Sequence, residues 1–319
     1  MANRHARTRS FLAAALTLPL IGLAAGCQGP QPTADEAVTV QPPKPAVVEA
    51  IELAHGAELY HEKSAVQADF EVVFGGNNLI AGTMLFNNEV SKARMDLEDG
   101  TVLVFDGNNA WVSPEDAEFK NARFHLLTWP YFLAAPMKLS DPGVNYKELD
   151  FQPLDEQNHL AAVKMTFDAG VGDAPDDWYI LLKDPDTDAL RAMAYIVTYG
   201  KDSVDEATSQ PGIIEYANFK TVEGVAFSTE WAFSHWDPEL GKQASKGTAS
   251  ISNIRFVDAP RGTFVPPFNA RVDELPPPPA RPKTDETAHK THAHAEESEH
   301  DHGHDDHGHD HEGHDHDHE

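Results

Sequence analysis

The sequence predicts a mainly β protein built on one large curved antiparallel sheet, with an N-terminal helix and a short helical plug. Three observations predict it. Between residues 66 and 256, run after run alternates apolar with polar residues, and Gly, Asn and Asp clusters separate the runs. A helical spacing of apolar residues precedes the first run. In their midst one strongly apolar stretch, Phe124 to Leu139 (FHLLTWPYFLAAPMKL), carries Pro130 and Pro136, which a long buried strand would not tolerate.

The ends of the 319-residue chain differ from its middle. Arg4, His5, Arg7 and Arg9 form a basic region, Phe11 to Leu23 an apolar one, and Ala24-Ala25-Gly26 supply small residues before Cys27. This is the pattern of an export signal, here residues 1–26. Its ending in Gly-Cys resembles the lipobox of bacterial lipoproteins, which implies cleavage before Cys27 and lipidation of that residue; an ordinary secretory signal with an incidental Cys is the alternative. Leu12 to Leu23 is too short, and broken by Pro19, to anchor the chain as a transmembrane helix. Cys27 is the only cysteine, so no intrachain disulfide braces the fold. Residues 27–45, rich in Pro, Ala and Thr, read as an extended tether to a membrane. Gln28, in place of an acidic residue after the Cys, favours by analogy the periplasmic face of the outer membrane.

The folded body is expected over residues 46–257. Val48, Ile51, Leu53 and Leu59 among Glu49, Glu52 and Glu58 give a helix over Val47 to His61, interrupted near Gly56. Val66, Ala68, Phe70, Val72 and Phe74 then share one face of a half-buried strand. Gly75-Gly76-Asn77-Asn78, Asn87-Asn88, Asp99-Gly100 and Asp106-Gly107-Asn108-Asn109 mark successive turns of an antiparallel meander. After the apolar stretch, strands are expected over Asn145 to Phe151, Leu160 to Asp168, Trp178 to Lys183, Ala189 to Tyr199, Ile213 to Phe219, Val225 to Trp236 and Thr248 to Phe256. About twelve strands make a sheet that curls or closes to hide its edges, which creates an interior. The proline-broken stretch forms one or two short helices, which either fill that interior or cover a hydrophobic cavity in it. Phe124, Leu127, Trp129, Tyr131, Phe132 and Met137 are the expected lid and cavity residues.

Residues 258–284, with Pro276 to Pro279 consecutive, read as a stiff spacer. Residues 285–319 are a different material, with 13 acids, one Lys, 12 of the chain's 18 histidines and almost nothing apolar. Such a composition forms no core and predicts disorder. The net charge of −28 repels phosphate backbones and argues against nucleic acid as a partner. Neutral imidazoles with neighbouring carboxylates can wrap Zn, Ni, Cu or Co with little selectivity. The candidate metal ligands are His289, His292, His294, His300, His302, His304, His307, His309, His311, His314, His316 and His318. Metal buffering or delivery is one reading of this tail, and a solvated, pH-sensitive spacer is the other.

No catalytic constellation is legible. No nucleophile elbow, zincin, phosphate-loop or dinucleotide motif occurs in a supporting context. His55, His61, His125, His159 and His235 read as core or surface residues, and acidic pairs such as Asp176-Asp177 fall in turns. No cofactor is required by anything in the sequence, and the chain reads as a binding protein rather than an enzyme.

Val104-Phe105-Asp106-Gly107, followed three residues later by Trp111 and then Ser113-Pro114-Glu115, stands within a long meander preceded by a helix. In this the chain resembles the LolA/LolB-like superfamily of lipoprotein carriers, over roughly residues 46–257. The resemblance implies a half-open barrel plugged by helices, with Phe124 to Leu139 as the plug, Asp106, Gly107 and Trp111 as the motif, and a cavity that receives acyl chains. The lipid anchor looks more like the LolB side, and the proline-rich and His-rich extension departs from both. A hydrophobic or lipid-like ligand, divalent metal ions and an envelope transporter or lipoprotein are the implied partners. The rival reading is a metal-handling lipoprotein whose β domain is a scaffold or docking module.

Overall fold

The structure, a computed structural model, describes residues 44–281. Cys27 and the whole histidine-rich tail lie outside the described residues. The element order is α1 (Ala46–His55), α2 (Ala57–His61), β1 (Ala65–Phe74), β2 (Asn77–Asn87), β3 (Ala93–Leu97), β4 (Val102–Phe105), β5 (Ala110–Ser113), α3 (Ala122–Ala134) and a 3-10 turn (Ala135–Met137). There follow β6 (Val144–Glu148), β7 (Gln152–Pro153), β8 (His159–Leu160), β9 (Ala162–Phe167), β10 (Tyr179–Lys183), β11 (Leu190–Tyr195), α4 (Val204–Thr208), β12 (Gly212–Val222), β13 (Val225–Asp237), β14 (Gly241–Val257) and β15 (Arg271–Asp273).

Among the described residues, thirteen strands form one antiparallel sheet in the order β15-β5-β4-β3-β2-β1-β14-β13-β12-β11-β10-β9-β6. The sheet is not closed, because β15 and β6 are its two free edges. The two longest sequence-adjacent hairpins turn where the sequence places its permissive residues. Gly75 and Gly76 have φ of 57° and 79°, and Glu223 and Gly224 have φ of 48° and 88°. Positive φ at both central positions is the turn whose twist matches that of the flanking strands. Asn77 and Asn78, expected in the first turn, already belong to β2, paired with Phe74 and Val73.

One face of the sheet carries the main core. Val66, Ala68, Phe70 and Val72 of β1 are buried there with Met84, Phe86, Met95 and Leu103 from the neighbouring strands and Ile214, Phe227, Trp231 and Phe233 from the other side. The expected alternation of β1 is therefore realised residue by residue. Over β9 to β12 the opposite face is buried as well. Ala162, Ile180, Leu182, Ala192, Ala194 and Ile213 form a second buried cluster with Leu154, Leu160 and Trp236, covered by the small β7–β8 ribbon. The Trp236 indole N–H donates to the Pro153 carbonyl at 3.2 Å and pins that ribbon down. Burial on both faces accounts for the near-continuous apolar runs of β10 and β11.

The presumed spacer after residue 257 is partly structural. Arg271–Asp273 pairs with β5, and Ala280 bridges Ser203, so the chain doubles back along the sheet edge. The prolines around this segment hid a strand of three residues, which is too short for any periodicity to announce.

The helix broken at Gly56 is α1 followed by α2. Gly56 has φ of 70°, and its N–H donates back to the Glu52 and Leu53 carbonyls, ending α1 in a left-handed cap. A Cβ at this position would collide with the Gly224 carbonyl oxygen, so the residue is required both for its conformation and for the close approach of the β12–β13 turn. Just before it, His55 is fully buried, 2.8 Å from the Ala226 carbonyl through Nδ1, while the Leu190 N–H donates to Nε2 at 3.0 Å. The imidazole is thus neutral, with Nδ1–H donating, and ties α1 to β11 and β13.

Burial pushes the His55 pKa down to about 4. The folded protein holds this ring neutral, whereas the unfolded chain protonates it below roughly 6.5, so its contribution is complete above pH 6.5 and is lost as pH falls toward 4. Urea unfolding between pH 4.5 and 7.5 should show stability rising with pH, with up to about 3 kcal/mol from this group. His55→Phe should flatten that rise and, by orphaning the Leu190 N–H and Ala226 carbonyl, cost about 2–4 kcal/mol at pH 7.5. An unchanged slope in the variant would contradict the assignment.

Candidate functional site

The proline-broken apolar stretch, expected as one or two short helices, forms α3 and the 3-10 turn. Pro130 lies inside α3, where it removes the N–H that would reach the Leu126 carbonyl, and Pro136 opens the tighter turn that follows. Apolar side chains surround α3 on all sides, which suits a helix enclosed by other elements. It packs against β3, β4, β5 and β13. Tyr216 of β12 donates its hydroxyl to the Phe132 carbonyl at 3.1 Å, tethering the helix from below.

The helix has two functional faces. Ala122, His125, Leu126, Trp129 and Leu133 point to the sheet and are buried. Trp129 packs edge-on against Phe233, with ring centroids 6.1 Å apart, and donates its indole N–H to His125 Nδ1 at 2.9 Å. Burial lowers the His125 pKa to about 4, so this ring is a neutral acceptor at ordinary pH. Phe124, Leu127, Thr128 and Tyr131 face the other way, into a cavity of about 430 Å³, and Phe132 lies at the boundary of the two faces and reaches it too.

The cavity lies between α3 and the wing of the sheet formed by β6, β9, β10 and β11. Its far wall is Val144, Phe167, Tyr179, Tyr195 and Val197. Aromatic contacts line the whole space: Tyr131 meets Tyr179 at 5.7 Å, Phe132 meets Tyr195 at 5.4 Å, and Phe124 meets Tyr199 at 5.6 Å between centroids. The charged residues Arg123, Lys138, Asp141, Asp173 and Asp177 also border it. Four of the six expected lid residues, Phe124, Leu127, Tyr131 and Phe132, therefore border the cavity. Trp129 and Met137 do not, since both are buried in the main core. The plug is a wall of the cavity rather than a cover over the sheet, because its other face is fixed to β3, β4 and β5.

Arg123, at the start of α3, is buried, and each of its three guanidinium nitrogens donates a hydrogen bond. Its guanidinium donates two hydrogen bonds to the Asp173 carboxylate, one to the Asn108 carbonyl at 2.6 Å, and lies 4.8 Å from the Phe105 ring centroid. Its backbone N–H donates to Asp273 of β15. Asp173 belongs to the loop between β9 and β10, so this one side chain holds that loop against the cavity. Asp177, further along the same loop, accepts from the Thr198 N–H at 2.8 Å and hydroxyl at 2.6 Å, both through Oδ1. Burial nevertheless dominates and pushes the Asp177 pKa up to about 6, against the opposing pull of those two hydrogen bonds.

The motif residues Asp106, Gly107 and Trp111 form a self-braced turn between β4 and β5. Asp106 accepts from the Asn108 and Asn109 N–H groups through Oδ1, and from the Trp111 indole N–H through Oδ2, each at 2.8 Å. Gly107 has φ of 102°, a conformation that favours glycine. The motif does not border the cavity, but it presents the Asn108 carbonyl to Arg123.

Sequence reasoning missed the far wall and its charged border. Phe167, Tyr179 and Tyr195 are each spaced to share a face with the core residues of their strands, which was the available signal; Asp177 was assigned to a turn, and only the fold brings that turn against α3. Among the described residues, no group of three or more His, Cys, Asp or Glu is placed to hold a metal ion. No described helix is long and apolar enough to cross a membrane.

The sequence matches no protein-family model and no curated protein. Among solved structures the chain is similar to a LolA superfamily protein from Nitrosomonas europaea, at 11% identity and a TM-score of 0.46, covering 70% of this chain and 98% of that one. It is likewise similar to a candidate outer membrane lipoprotein-sorting domain from Vibrio parahaemolyticus, at 10% identity and a TM-score of 0.43, covering 69% of this chain and 97% of that one. The likeness lies in the arrangement of sheet and helices and does not extend to residue roles.

The two faces of α3 make separable predictions. Trp129→Ala should cost about 3–5 kcal/mol of stability, as expected for an emptied core site. Leu127→Trp, which fills cavity space, should change stability by less than about 1.5 kcal/mol. Chemical denaturation of both variants checks this, and a Leu127→Trp loss as large as that of Trp129→Ala would mean that no space lies beside Leu127.

Proposed function

We propose that this protein holds a hydrophobic, acyl or lipid-like ligand in the cavity between α3 and the β6–β11 wing. The carrying observation is the cavity itself, an aromatic and aliphatic space of about 430 Å³ bordered by a few polar groups, which is the usual make-up of a site for an apolar ligand. Phe124, Leu127, Tyr131 and Phe132 form the near wall, and Trp129 and Met137 support it from the core.

Around this body the sequence supplies an address and a second binding capacity. In our reading Cys27 carries the lipid, residues 27–45 give reach, and the body works at the periplasmic face of the outer membrane, where a lipoprotein or envelope transporter would be its partner. The twelve histidines from His289 to His318 bind divalent ions, three or four imidazoles per ion, each deprotonated to coordinate. That a metal-handling tail is the principal activity and the β body a scaffold is the second reading, favoured by those twelve histidines alone.

A pair of titrations separates the two. Full-length protein and a chain ending at residue 284 are each titrated with N-phenyl-1-naphthylamine, as an uncharged apolar fluorescent probe, and with Zn²⁺. Equal probe binding by both, with Zn²⁺ binding confined to the full-length chain and weakening from pH 7.5 to 5.5, is the expected outcome. Zn²⁺ binding retained by the shortened chain would move the metal site into the folded body; absence of probe binding would remove the hydrophobic-ligand reading.

A further inference from the structure

The charges around the cavity are unevenly paired. Six charged side chains border it: Glu89, Asp141, Asp173 and Asp177 are acidic, and Arg123 and Lys138 are basic. Both cations are already committed. Arg123 is spent on Asp173, the Asn108 carbonyl and the Phe105 ring. Lys138, buried, forms an ion pair with Asp141 at 2.7 Å. Among the described residues, both cations at the cavity are thus already paired with a carboxylate, and an anionic head group would have to compete for them.

The acidic side is not balanced. Asp177 and Glu89 form no ion pair among the described residues. Glu89 is exposed and is met only by the Ser91 hydroxyl at 3.3 Å. Asp177 is the more constrained of the two: both hydrogen bonds from Thr198 go to Oδ1, and Oδ2 receives none among the described residues. Burial raises its pKa to about 6, so it is charged at pH 7.5 and pays a desolvation cost that no neighbouring cation offsets. Asp177, Tyr131 and Tyr179 line the same cavity, so the carboxylate and two electron-rich rings border one space. The Tyr131 hydroxyl is itself buried with no hydrogen-bond partner among the described residues. A carboxylate with an open oxygen beside aromatic rings is the combination that recognises ammonium groups.

We propose that the cavity selects amphiphiles with a cationic ammonium head, seated against Asp177 and the Tyr131 and Tyr179 rings with the chain lying along Leu127 and Val197, and rejects those with a carboxylate or phosphate head. This rests on the reading of the cavity as a hydrophobic-ligand site and adds the head group to it. Specificity comes as much from exclusion as from attraction, because an anionic head would meet two unbalanced carboxylates and would have to break an existing ion pair to find a cation.

Calorimetric titration of the full-length protein at pH 7.5 with dodecylammonium, 1-dodecanol and laurate, each below its micelle concentration, tests this with one chain length and three heads. Dodecylammonium should bind at least tenfold tighter than laurate, with dodecanol between them. Asp177→Asn should reduce the ammonium preference over laurate to within about threefold. Leu127→Trp should weaken all three, which separates the cavity from non-specific attraction of the cation to the acidic tail, since the tail is intact in both variants. Equal or tighter binding of laurate, or an ammonium preference that survives Asp177→Asn, overturns the head-group proposal; if in that case Leu127→Trp still blocks binding, the hydrophobic-ligand reading stands without it. Failure of all three amphiphiles to bind overturns both.

Discussion

Four parts of the chain meet at the guanidinium of Arg123. The plug helix supplies it, the self-braced β4–β5 turn offers the Asn108 carbonyl, the β9–β10 loop offers Asp173, and β15 receives the adjacent backbone N–H through Asp273. An almost fully buried cation is tolerated only when its donors are met, and removing one partner of such a pair costs several kcal/mol because the other is left uncompensated. The position of the plug and the closure of the loop beside it therefore depend on one another. The cavity exists because they agree.

The same dependence explains why the sheet is neither solid nor closed. Thirteen strands give more apolar concave surface than one thirteen-residue helix can cover. With its Trp129 face fixed to the β3–β5 side and β13, α3 leaves the β6–β11 wing without a partner, and aromatic residues from both sides line the remaining gap. That wing is stiffened from behind by the second buried cluster under β7 and β8, so it does not collapse onto the helix. A gap held open from both sides is what a carrier or binding protein requires, and a solid core would not provide it. In the proposed head-group selection, the acidic border is what discriminates between amphiphiles.

Much of this was legible in the sequence, and the limits follow physical lines. The alternation of Val66, Ala68, Phe70 and Val72, the turn at Gly75-Gly76 and the break at Gly56 are local signals, and the structure follows each. Pro130 and Pro136 identified the plug, because they forbid the alternative. What failed was long-range. Nothing local distinguishes Trp129 from Leu127, since a helix apolar all round does not say which side meets the sheet. The double burial of β10 and β11 depends on a two-residue ribbon arriving from elsewhere, and β15 is too short to show a period. Asp177 looks like any turn acid until the fold sets it on the border of the cavity that Tyr131 and Tyr179 also line.

A ligand space between α3 and the β6–β11 wing can be tested by locating a bound chain. A dodecyl amphiphile carrying a nitroxide at its terminal carbon, added to methyl-labelled protein, should broaden the NMR signals of Leu127, Val144 and Val197, while those of Val66, Val72 and Leu103 on the far side of α3 remain sharp. Broadening centred on the latter group, or spread evenly over the surface, would contradict the account.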